Sequence, residues 1–233
     1  MSPRDAIRVA LPPLVVAIGF TILAYLAAGG TLAFFFAGFF FITLILPPLV
    51  LTGQTWLERV LIAAAVVDGI GGTWLVVILL AWIDGSSAMS QTRLLDWVGL
   101  YALLAAYAAA AGGLVLILRR LRIGDILAVT VTMMIGLLWL SWPVWLGAKL
   151  TVEMTRMLTP AHPLLAANQL LTHLGIWTEQ PLAYHLTALG QHVPYQLPPG
   201  PWLALGLHLL LAAMLLGLAR LTSAAAPDRR GAM

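Results

Sequence analysis

Six stretches of this chain run about twenty residues or more with almost no charge, and polar segments separate them. They fall at 9–28, 31–52, 57–83, 95–118, 125–148 and 201–221. Crossing ~30 Å of hydrocarbon takes about 20 helical residues, so each run is long enough to span a bilayer. The pattern predicts an all-α fold: one polytopic bundle of six transmembrane helices with no further domain. Gly29-Gly30 joins the first two spans as a tight turn. In the second span, Phe34-Phe35-Phe36 and Phe39-Phe40-Phe41 form an aromatic block facing lipid. Pro47-Pro48 should kink or end that helix near its far end.

The connections are unequal. Residues 149–200 form a loop of about fifty residues, too long for a simple turn. Within it, His162 to Gly175 reads as a short helix, with Pro163 in its first turn and Gly175 at its C-terminal end. A second short helix is predicted from Thr178, as N-cap, through Pro181 to Gly190. Each covers at most ~20 Å at 1.5 Å per residue, so both lie in the interface or dip back into the bundle. Four prolines between His192 and Trp202 then hold the chain extended.

Charge adds an orientation. Arg4, Arg8, Arg59, Arg119, Arg120, Arg122, Arg220, Arg229 and Arg230 fall on one side of a six-span layout; Arg93, Lys149 and Arg156 fall on the other. The positive-inside rule places both termini and the tail 222–233 in the cytoplasm, and the loop 149–200 outside. The N-terminus carries arginines before an apolar run, as a signal peptide does, but lacks a clear small-residue cleavage site and is read as an uncleaved first span. With 61% hydrophobic residues, 9% charged residues and a mean hydropathy of +0.98, the composition suits lipid as solvent. The alanine-rich, basic tail and single lysine point to a bacterial inner membrane. Cysteine is absent, which excludes disulfides, thiolate metal sites and cysteine nucleophiles.

Candidate chemistry is sparse. Asp68 lies near the middle of the third span, where a carboxylate must be neutral, paired or beside water. It is a proton or cation relay, or the anchor of a polar cavity with Thr73 close by, or a protonated acid bonded to backbone or Thr. The glycines beside it let another helix approach. His162, His173, His185 and His192 sit in the outer loop, and His208 lies two turns into the last span. Their gaps of 11, 12, 7 and 16 residues match no metal-ligand motif, although Met154 and Met157 add thioethers suited to copper. No cofactor is predicted; copper or haem remains an alternative, and His162 has a second reading as a helix cap. Haem between spans needs histidines on two membrane helices, and only His208 is in one. His208 joins Asp68 and Thr73 as a candidate polar membrane site, and His162, Asn168, Gln169, His173, Trp177, Glu179, His185, Gln191, His192 and Tyr195 are the candidates for an outer gate or docking surface.

Trp139, Trp142 and Trp145 recur every three residues around Pro143, either as an aromatic belt at headgroup depth or as a haem-handling surface. Ala105, Ala109 and Gly113 repeat every four residues and mark close helix packing. Arg119-Arg120-Leu121-Arg122 is a topology signal that can also touch anionic lipid. No Ser/His/Asp arrangement, phosphate loop or dinucleotide fingerprint is present, and no nucleic-acid partner is expected.

Six spans with both ends inside and two short helices before the last span resemble the membrane subunit of ABC-2-type exporters. The resemblance implies that the short helices cap a translocation path and that two copies work with cytoplasmic ATPase subunits. It supports a non-catalytic, permease-like subunit of a multi-component transporter, acting as a homodimer or with other membrane subunits. Two alternatives stand beside it: the membrane anchor of a respiratory or metal-dependent redox complex, and a scaffold whose outer loop docks a periplasmic protein.

Overall fold

A computed structural model describes residues 1–29, 33–85, 88–145, 151–171 and 200–224. All regular structure among them is helical. The long helices are α1 (Pro3–Ala27), α2 (Phe34–Thr52), α3 (Trp56–Asp84), α4 (Leu94–Arg120), α5 (Asp125–Trp145) and α8 (Trp202–Ala224). Two short ones, α6 (Val152–Leu158) and α7 (Pro163–Leu170), lie between α5 and α8. The six long helices are each long and apolar enough to cross a membrane, the architecture of a multi-pass membrane protein.

Local signals place the ends. Ser2 and Asp5 form a reciprocal capping box, so α1 starts at Pro3, ahead of the apolar run. Thr55 and Glu58 do the same for α3, which stops at Gly85 in the left-handed region, φ 66°. Hydroxyls inside the spans bond back to the carbonyl four residues earlier: Thr21 to Ala17, Thr73 to Gly69 and Thr132 to Ala128. That satisfies each hydroxyl without water.

Helices α2, α3 and α4 pack mutually at the centre; α1 lies along α3, α8 lies along α4, and α5 rests on α2 and α4. The outer faces of the peripheral helices are apolar and exposed, as at Leu23 (66%) and Met214 (58%), which fits lipid as solvent. At one end Arg119 pairs with Asp125 at 2.9 Å, and Arg220 sits 5.4 Å above the Trp56 ring. The starts of α3 and α5 and the ends of α4 and α8 therefore share one arginine-rich end.

The structure corrects several expectations. The phenylalanine block is core, not lipid-facing: Phe34, Phe35, Phe39 and Phe41 are buried. As a central helix, α2 has neighbours on most sides, so its rings pack on Phe20, Tyr25, Trp74 and Tyr107. Gly38 is needed there, because a Cβ would come within 2.5 Å of the Trp74 ring. Helix α2 also runs through Pro47-Pro48 to Thr52. The first connection is longer than Gly29-Gly30, since α2 starts only at Phe34. The first short helix ends at Leu170, and α6 was not foreseen. Residues 178–190, expected as a second short helix, lie outside the described residues.

Candidate functional site

Pro143 sits inside α5 and has no N–H to offer the Trp139 carbonyl four residues back. The ring of His162 fills that gap. Its Nε2 lies 3.0 Å from the Trp139 carbonyl and 3.2 Å from that of Leu140. Carbonyls only accept, so Nε2 carries the proton and Nδ1 keeps a lone pair, which takes the Leu165 N–H at 3.2 Å. One neutral imidazole thus mends α5 and caps α7 together. Burial pushes its pKa down to about 4, against the raising effect of the two carbonyls. With both nitrogens committed to backbone, His162 has no lone pair left for copper or haem. Trp139 and Trp142 pack on this ring at 5.7 and 5.6 Å between centroids.

Beside this staple lies a cavity. Helices α5 and α8 both lean on α4 without packing along each other, leaving about 840 Å³ between them. Thr43 of α2 and Tyr107, Ala110 and Ala111 of α4 line it. So do Ile135, Gly136, Trp139 and Trp142 of α5, and Leu207, His208, Leu211 and Met214 of α8. Leu158 and Ala161 reach it from the segment before α7. The volume falls in the ~300–1,000 Å³ range of small-molecule sites, and the lining is overwhelmingly apolar.

The few polar atoms of this chamber are uncharged and their roles can be assigned. Thr43 Oγ1 lies 2.9 Å from the Phe39 carbonyl and 2.7 Å from the Tyr107 hydroxyl. The single Thr43 hydrogen goes to the carbonyl, so Tyr107 donates to Thr43. Gly136 permits this pair, since a Cβ there would lie 2.6 Å from the Thr43 methyl. His208 Nδ1 lies 2.7 Å from the Ala204 carbonyl and must donate, leaving Nε2 as an acceptor with no bond to any described residue. The buried indole N–H groups of Trp139 and Trp142 are donors without a partner among the described residues. The chamber therefore offers one imidazole acceptor, whereas the two partnerless indole N–H groups are sealed within the packing and not open to it.

Asp68 is elsewhere. It is exposed on α3, accepts a hydrogen bond from Tyr101 of α4, and α3 contributes nothing to the chamber. Its neighbouring glycines do admit close contacts: a Cβ at Gly69 would strike Ala17 and Leu14 of α1, and one at Gly71 would strike the Tyr101 ring. Thr73 is buried and satisfied within α3 by Gly69. Asn168 is buried in α7, and Gln169 beside it is half-buried. His173, Trp177, Glu179, His185, Gln191, His192 and Tyr195 lie outside the described residues. Among the described residues, the predicted candidates His162 and His208 come together across the Trp139 ring. Sequence reasoning missed Thr43, Tyr101 and Tyr107. Each is a hydroxyl inside an apolar run, and that is the signal by which they could have been found. Among the described residues no three His, Asp or Glu side chains gather as a metal site would require.

Compared with known proteins, the chain matches no family, no curated protein and no solved structure.

Proposed function

We propose that this chain is a non-catalytic, permease-like subunit of a bacterial inner membrane, whose chamber receives an amphiphilic molecule from the bilayer. The cargo has a long apolar body and an uncharged head carrying a hydrogen-bond donor. The observation that carries this reading is the apolar space between α5 and α8, paired with His208 Nε2 as its acceptor. A charged head would meet no counter-charge there and would lose its hydration. The arginine distribution supports cytoplasmic termini, which puts the chamber's α7 end on the outer side.

A second reading keeps the redox-complex anchor. The apolar space suits the isoprenoid tail of a reduced quinone, whose ring hydroxyl would donate to His208 Nε2. Haem is less well served, since His162 is committed and His208 supplies one nitrogen.

Organic extraction of the purified protein, followed by mass spectrometry, tests both readings. A stoichiometric uncharged lipid is the expected result, and a stoichiometric quinone selects the second reading. Ala111→Trp fills the chamber from α4 and should lower bound amphiphile about tenfold, a loss of ~1.4 kcal/mol, at an unchanged thermal midpoint. An extract without stoichiometric amphiphile, or one that Ala111→Trp leaves unaltered, overturns the chamber as a binding site.

A further inference from the structure

The most demanding feature outside the chamber is the carboxyl group of Asp68. It lies roughly 3 Å from the midpoint of α3 at 1.5 Å per residue, so it sits near the centre of the bilayer. The side chain is exposed on the outside of the bundle, where lipid tails would surround it. Tyr101 donates to Oδ1, and no described residue bonds Oδ2. A carboxylate in that position is costly and is normally paired.

The surface around it is shaped for a helix. Ala64 and Gly72, one turn to either side on α3, are also exposed, and the space above Gly72 is open. Trp97 donates to the Gly71 carbonyl at 2.8 Å and packs on Tyr101, so the α4 side of this strip is held in place. Small residues flanking a polar group allow backbone approach and a buried interhelical hydrogen bond.

We propose that the α3 strip Ala64–Asp68–Gly72, with Tyr101 beside it, docks a membrane-spanning helix of a partner subunit that carries a lysine or arginine at mid-bilayer depth. Charge identifies the occupant. Every arginine and the lone lysine of this chain lie at or beyond the ends of the spans. A second copy therefore has no cation to bring to Asp68, and the partner is a different chain. The inference is independent of what the chamber binds.

The native chain has no cysteine, so Gln91→Cys, in the α3–α4 connection, gives a single fluorophore site near this face. The labelled protein in phosphatidylcholine vesicles is titrated with an acceptor-labelled synthetic Leu/Ala spanning peptide bearing one central lysine. The same peptide with leucine in that place is the control. The lysine peptide should bind at least about tenfold tighter, a difference of ~1.4 kcal/mol. Asp68→Asn should remove that preference, and Tyr101→Phe should reduce it. Equal binding of the two peptides to the unmutated protein overturns the proposal without recourse to any variant. A preference surviving Asp68→Asn overturns it as well, as does energy transfer between labelled copies that Asp68→Asn abolishes while the peptides bind alike.

Discussion

At the scale of the residue, His162 joins two defects that each need a hydrogen-bond partner. The α7 N-terminus needs an acceptor, and the proline gap in α5 needs a donor. A neutral imidazole has one of each; an imidazolium has two donors and would face the Leu165 N–H with a proton. Its folded pKa near 4 lies below the ordinary ~6.5, so between these values the unfolded chain binds the extra proton. Stability is then highest above pH 6.5 and falls as the pH drops towards 4, by about 2–3 kcal/mol at pH 4.5. Thermal unfolding in detergent should show this slope in the native protein. It should be smaller in His162→Gln, where the four other histidines and the carboxyl groups still titrate but the His162 contribution is gone; equal slopes in the two proteins refute the assignment. The cap was legible in the sequence because His162-Pro163 opens an apolar segment. The other bond was not, because Trp139 lies 23 positions upstream and only folding brings its carbonyl to the ring.

At the scale of the element, the spans were legible and their rotations were not. The four-residue spacing of Ala105, Ala109 and Gly113 correctly marked α4 as a packing helix, and α8 is the helix that uses it. A Cβ on Gly113 would lie 2.9 Å from Leu215 Cβ, an atom that cannot swing aside, whereas one on Gly112 meets nothing within 4 Å. Gly113→Ala should therefore destabilise by about 1–3 kcal/mol through overpacking, with Gly112→Ala near neutral. Differential thermal midpoints of the two variants check this, and matching midpoints would contradict the observed α4–α8 register. The tryptophans of α5 show the opposite case. Their three-residue spacing suggested a belt, yet Trp142 is only 3% exposed and turns with Trp139 onto His162. Headgroup anchoring and core packing share the same spacing, so spacing could not choose between them.

At the scale of the whole molecule, the connections at the arginine-rich end are short: 53–55 between α2 and α3, and 121–124 between α4 and α5. Orientation is testable on the cysteine-free chain: a membrane-impermeant maleimide applied to intact cells should label Gln91→Cys and spare Arg122→Cys, and the reverse result inverts the topology. The number of spans, their approximate limits and the gathering of cations at alternate ends were all present in the sequence, because transfer of each segment into hydrocarbon is a local property. Which faces meet was decided by the tertiary structure alone. Helices apolar all round carry no stripe to declare an inward side, so the burial of the phenylalanines, the outward placement of Asp68 and the gap between α5 and α8 arise from packing shape.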